Sequence, residues 1–157
     1  KFAAVANYLI EKHDAHIMVF GGKNNAFESG EMMSALEDKS RMTDSTGISI
    51  DDLKACISKL DAFISVDTGP IYIAEAMNIP TINILGPVTP LVRPPHEKIH
   101  KMVFPPGKPE PLLNIMNPRH HDTKEAERIA QSTRVEDVIT VIEELLQEID
   151  QRKIKKE

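Results

Sequence analysis

The chain has 157 residues, enough for one ordinary domain with a real core, and 41% of them are hydrophobic while only 4% are aromatic. Its formal charge is -5, and the one short run of like charge is the tail around Lys153 to Lys156, which argues against nucleic acid or an anionic membrane as the main partner. A single cysteine, Cys56, excludes an internal disulfide and a Cys-based zinc cluster. No apolar run reaches membrane-spanning length and no signal peptide is read, so the expected location is the cytoplasm, at most peripheral to the inner membrane face. Residues 1–150 read as one domain and 151–157 as a charged tail. The chain opens on Lys1 and runs straight into a helix, which reads as a piece of a longer protein.

Taken in chain order, Ala3 to Glu11 reads as a helix with Val5, Ala6, Leu9 and Ile10 on one side. His16 to Phe20 is an apolar strand ending in Gly21-Gly22. Ala26 to Leu36 is a helix weakened by Gly30, and a short strand is expected near Arg41 to Asp44. Ser49-Ile50-Asp51-Asp52 resembles a capping box, and Leu53, Ile57 and Leu60 continue the helix it opens. Cys56 falls on that helix and is expected as a buried, inert thiol. Ten of the eleven prolines lie between Pro80 and Pro118, so this stretch should be irregular loops around one short strand, Ile99 to Phe104. A long closing helix follows, with Thr133 and Glu136 as its capping box and Val135, Val138, Ile139, Ile142, Leu145, Leu146 and Ile149 at helical spacing.

The most informative segment runs from Ala62 to Pro87. Ala62 to Val66 reads as a buried strand. It stops at Asp67-Thr68-Gly69-Pro70, where Asp67 and Thr68 are N-cap types, Gly69 lets another group approach the backbone, and Pro70 suits a first helical turn. Ile71 to Asn78 is apolar nearly all round and reads as a buried helix. Thr81 to Leu85 is a second strand, closed by Gly86-Pro87. Strand, helix and strand this close make a right-handed parallel βαβ unit. The fold class is therefore α/β, a Rossmann-like parallel sheet with helices on both faces. The turns at Gly22, Asp67 and Gly86 should gather at the carboxyl edge of one sheet, where such folds bind ligands. The start of the helix after Asp67 offers N–H groups and a positive dipole end to a phosphate.

Other motifs carry less. Asp-Thr-Gly also occurs in aspartic proteases, but those need an all-β fold, and here Pro70 leads into a helix. His96-Glu97-Lys98-Ile99-His100 matches the zinc-protease pattern H-E-x-x-H. That pattern needs a stable helix, whereas Pro94-Pro95 and Pro105-Pro106 bracket this one. His120-His121-Asp122 reads as solvated loop. The Gly21-Gly22-Lys23-Asn24-Asn25 turn is neither a dinucleotide fingerprint nor a P-loop. It draws interest by position, with Lys23 a candidate phosphate contact.

With these residues in hand, the chain resembles the C-terminal half of the ADP-heptose:lipopolysaccharide heptosyltransferases, glycosyltransferase family nine. The resemblance rests on the strand followed by Asp67-Thr68-Gly69-Pro70, on P-T-I-N-I-L-G-P-V-T-P, on the strand-Gly-Gly turn and on T-G-I-S-I-D-D-L. It implies one half of a GT-B glycosyltransferase: the nucleotide-sugar-binding domain, facing an N-terminal acceptor domain across a cleft. The implied partners are an ADP-sugar donor, a glycan or glycolipid acceptor and the protein's own N-terminal domain. Neither a cofactor nor a metal is implied. The resemblance places Asp67, Thr68, Gly69, Pro70, Ile71 and Tyr72 at the donor's diphosphate and sugar, with backbone N–H groups of Thr68, Gly69 and Ile71 serving and Pro70 having none to give. It places Gly22 and the turn after it, with Lys23, near the ribose, and Ile48 near the adenine. Tyr72 stands where the family commonly has histidine. The family's acidic residue on the ribose side has Glu28 as its nearest match, with Asn25 as a replacement. The family's proposed catalytic base is an aspartate of the N-terminal domain, so no catalytic residue is assigned here, and this stretch alone is expected to be inactive. The rival expectations are a non-catalytic nucleotide- or sugar-binding module and a zinc hydrolase using His96, Glu97 and His100.

Overall fold

The computed structural model describes residues 1–87, 98–107 and 123–154. The chain divides into two compact units, Lys1–Cys56 and Ile57–Glu157.

In the first unit, α1 (Phe2–His13) is followed by β1 (Ile17–Gly21), a 3-10 turn (Lys23–Asn25), α2 (Ala26–Ser34), β2 (Met42–Thr46) and α3 (Ile50–Ile57), whose last residue already counts in the second unit. Asp14 ends α1 in the left-handed region, and the Arg41 guanidinium holds that corner through the Asp14 carboxylate at 2.6 Å. β1 and β2 pair in parallel, Ile17 opposite Met42 and Gly21 opposite Thr46. Ala6, Leu36 and Met42 form the core of this unit, with Ile10, Ile17, Val19, Met32 and Met33 packed on it. Its core is therefore aliphatic and methionine-rich, as the scarcity of aromatics requires.

The second unit holds β3 (Phe63–Val66), α4 (Gly69–Ala76), β4 (Thr81–Ile84), β5 (His100–Val103), α5 (Thr123–Ser132) and α6 (Val135–Ile154). Its strands run in the order β3-β4-β5, all parallel, with Ser65 opposite Asn83 and Asn83 opposite Met102. α4 packs on β3 and β4, and α6 packs on β4 and β5. Ile57, Phe63, Ile71, Ala74, Ile82, Leu85, Ile99, Val103, Ile129, Val138, Ile142 and Leu145 are buried.

The parallel α/β class holds, with corrections. Strand pairing among the described residues gives two sheets, β1-β2 and β3-β4-β5, where one continuous sheet was expected. β4, the central strand, is the buried one, whereas Val66 on β3 is 45% exposed. α4 buries only Ile71 and Ala74 and exposes Tyr72, so its nearly all-apolar sequence does not mean burial on every side. It also stops at Ala76, because Asn78 takes the left-handed conformation and Ile79 N–H bonds back to the Ala74 carbonyl. Cys56 is half-buried rather than buried. Thr133 lies two residues before α6, outside its cap position, and the first turn is bound instead by the Arg134 fork on Asp137. The Ser49 box is half made: Asp52 N–H donates to Ser49 Oγ at 3.1 Å, and that hydroxyl donates to the Asp52 carboxylate.

Candidate functional site

The residues of interest fall into two groups, one in each unit, each at the carboxyl ends of its own parallel strands. In the first unit, β1 ends at Gly21 and β2 leads into Gly47, whose N–H bonds to the Gly21 carbonyl at 2.8 Å. Both glycines are required by geometry. A Cβ on Gly21 would sit 2.9 Å from Asn25 Cβ, and Gly47 has φ +75° with Lys23 packed over it. Asn25 locks the turn, its Oδ1 accepting from Gly22 N–H at 3.0 Å and its own N–H donating to the Gly22 carbonyl at 2.9 Å. The side chain proposed to replace an acidic ligand contact is thus occupied in holding the loop. Lys23, Glu28 and Ile48 are exposed, Lys23 and Ile48 flanking Gly47 and Glu28 lying in the first turn of α2.

In the second unit, β3 ends at Val66 and α4 begins at Gly69. The N-cap position is Thr68 rather than Asp67, and the Thr68 side chain makes no capping bond. Its hydroxyl turns back instead to the Val66 carbonyl at 3.3 Å and the Ser65 hydroxyl at 3.1 Å. Asp67 Oδ1 accepts from Asn83 Nδ2 at 3.2 Å. Ile71 N–H is engaged by the Thr68 carbonyl at 3.2 Å. The N–H groups of Thr68 and Gly69 donate to no backbone carbonyl among the described residues. Pro70 fixes the first turn and has no N–H. A Cβ built on Gly69 meets no atom within 4 Å, so space lies open against this backbone. Tyr72, in the same first turn, is 50% exposed. The arrangement offers two backbone donors and a helix dipole to an anion, and an acceptor carboxylate beside them.

Sequence reading missed Ser65 and Asn83. Each is a polar residue in an apolar strand, and they stand opposite one another in the β3–β4 ladder. Each holds one loop residue, Ser65 holding Thr68 and Asn83 holding Asp67. The available signal was a polar residue at the third position of each strand run, F-I-S-V and T-I-N-I.

The zinc pattern is not assembled by what is seen. His100 opens a strand rather than a helix, is buried, and binds the Thr81 hydroxyl through Nδ1 at 2.9 Å. His96 and Glu97, like His120, His121 and Asp122, lie outside the described residues. Among the described residues no three His, Cys, Asp or Glu side chains converge as metal ligands, and no helix is long and apolar enough to cross a membrane.

Polar loops at the carboxyl ends of parallel strands define the fold class whose ligands bind there. Residues 1–115 match the profile of glycosyltransferase family 9 (heptosyltransferase). The chain belongs to that family. Its structure is similar to that of E. coli ADP-heptose lps heptosyltransferase II, with 22% identity, a TM-score of 0.64, and 94% of this chain covering 41% of that one. It is also similar to the glycosyl transferase family 9 protein from Veillonella parvula DSM 2008, with 20% identity, a TM-score of 0.71, and 94% of this chain covering 40% of that one. The chain thus spans about two fifths of the length of each of these structures. No curated protein matches it by sequence.

Proposed function

We propose that this chain is the donor-binding part of a glycosyltransferase that moves a sugar, heptose in the first instance, from an ADP-sugar to a lipopolysaccharide-type acceptor. The observation that carries the reading is the β3–α4 loop of a family 9 member. It pairs unengaged backbone donors at Thr68 and Gly69 with a braced carboxylate at Asp67, beneath open space at Gly69. In this reading the diphosphate meets the two N–H groups at the positive end of α4, and Asp67 accepts from a hydroxyl of the donor sugar.

Chemically, an acceptor hydroxyl attacks the anomeric carbon, the bond to the diphosphate breaks, and the nucleoside diphosphate leaves with the electron pair. The N–H groups of Thr68 and Gly69 stabilise that leaving group, and the reading calls for no metal. The base that takes the acceptor proton is assigned to a separate N-terminal domain, the proposed partner. The proposed location is cytoplasmic, at the inner membrane face where such an acceptor is presented. The exposed Tyr72, in place of the family's histidine, favours one second reading, a domain that binds nucleotide without turnover.

Sugar transfer by the full-length protein, assayed with ADP-heptose, tests the proposal. Asp67→Ala should lower turnover strongly while the protein stays folded, melting somewhat lower because the buried Asn83 amide loses its acceptor. Near-normal turnover in that variant would sink the assignment. A full-length protein that binds ADP but never transfers would establish the second reading.

A further inference from the structure

We infer that Asn83 is a positioning residue that fixes the Asp67 carboxylate in the donor site, an inference that rests on the function proposed above. Asn83 lies in the middle of the central strand β4, between Ile82 and Ile84, and is 1% exposed. An asparagine is a poor strand former and a poor core residue. Its amide is only half satisfied: Nδ2 donates to Asp67 Oδ1 at 3.2 Å, while Oδ1 meets no partner among the described residues. A buried amide in that state costs stability. The orientation is nevertheless dictated, because turning the amide over would face its carbonyl oxygen to a carboxylate that has only acceptors.

The strand is rigid where the loop is not intrinsically so. Asn83 is held by ladder bonds on both sides, to β3 and to β5, and reaches across to the residue just beyond the end of β3. Asp67 sits between a strand end and a helix start, where no regular ladder fixes its side chain. The Asn83 amide on the neighbouring strand therefore ties one oxygen of the carboxylate to the sheet and restricts its rotation. Ser65, opposite Asn83 in register, restrains Thr68 in the same way. The functional loop is thus located from beneath by a polar pair on two neighbouring strands.

The test separates this role from a merely structural one. Asn83→Leu keeps roughly the same outline, removes the donor and also removes the orphaned oxygen. The full-length protein should then melt at the same temperature or higher, yet bind ADP-heptose on the order of ten-fold more weakly. Asn83→Ala, which leaves a void, should melt lower and show the same loss of affinity. In an Asp67→Ala background, Asn83→Leu should cause no further loss, because it acts through that carboxylate. Unchanged ADP-heptose affinity in Asn83→Leu, with Asp67→Ala impaired, would overturn the inference and leave the site assignment standing. So would losses that add in the double variant. Normal ADP-heptose binding by Asp67→Ala would overturn the site assignment and this inference with it.

Discussion

Gly69→Ala separates the demands of the fold from those of the ligand. Gly69 is the first residue of α4 and does not have positive φ. An added Cβ meets no atom within 4 Å, so alanine fits without strain or displacement. The substitution removes backbone freedom from the unfolded chain and should stabilise by about 0.4–1 kcal/mol. In a chain of this size that raises the melting temperature by about 1–4 °C. The same methyl projects into the space through which a phosphate must approach the Thr68 and Gly69 N–H groups to within about 2.9 Å. Losing one such charge-assisted bond costs about 1.5–3 kcal/mol, which is roughly 10- to 100-fold in dissociation constant. Calorimetric titration with ADP beside a thermal melt reads both quantities from one preparation. Higher stability with undiminished affinity would refute the idea that ligand closes on this backbone. A fall of several degrees would refute the claim that the space is open.

Other consequences follow from particular residues. Ile71 is fully buried on the inner side of α4, and Ile71→Ala should cost about 2–5 kcal/mol in urea denaturation, through lost burial and the cavity left behind. Tyr72→His, at a half-exposed position, should strengthen ADP binding at pH 6 more than at pH 8, since an imidazole gains its positive charge below about pH 6.5. Acid should weaken the fold. The carboxyls of Asp38, Asp44, Asp51, Glu125 and Asp137 are held below their usual range by the Ser40 hydroxyl, the Thr46 N–H, Lys54, Arg128 and Arg134 respectively. Each stays ionised in the fold at a pH where the unfolded chain takes up a proton. Their contribution is therefore complete above the ordinary carboxylate range near pH 4 and is lost as pH falls through it toward the folded values. Denaturation midpoints at pH 7, 5 and 3 check this, and added salt should shrink the Arg and Lys shares.

The strand-loop-helix-strand segment was legible because each signal in it agreed with the next. A short apolar run, a cap-type pair, a glycine, Pro70 at the second helical position and a second apolar run gave β3, α4 and β4 to within two residues. The same agreement located α1, β1, α3 and α6. What escaped was whatever depends on partners distant in sequence. α5 (Thr123–Ser132) was not foreseen: it is short and buries a single large apolar residue, Ile129, so its apolar face is narrow. Its available signals were good helix formers and the Glu125–Arg128 pair.

At the site, residue types pointed to Asp67, Thr68 and Gly69, but not to what each atom does. Thr68 occupies the cap position, yet its hydroxyl prefers Ser65 and Val66, and Ile71 N–H is taken by a local bond. Asn25 ties Gly22, a bond visible only once the turn is formed. Asn83 lies sixteen positions from Asp67, and only the parallel register brings them together. Periodicity reports which face of an element is apolar. It cannot report which neighbouring strand supplies the one polar side chain beneath a loop.

The central claim is that the loop Asp67-Thr68-Gly69 receives the diphosphate and sugar of an ADP-sugar. The most direct measurement is a calorimetric titration of this chain with ADP, UDP, GDP and CMP, repeated with Asp67→Ala and with ADP-heptose. The account predicts that ADP binds in preference to the other nucleotides and that ADP-heptose loses affinity in Asp67→Ala while the fold is retained. Equal affinity of ADP-heptose for the unaltered chain and for Asp67→Ala would contradict it.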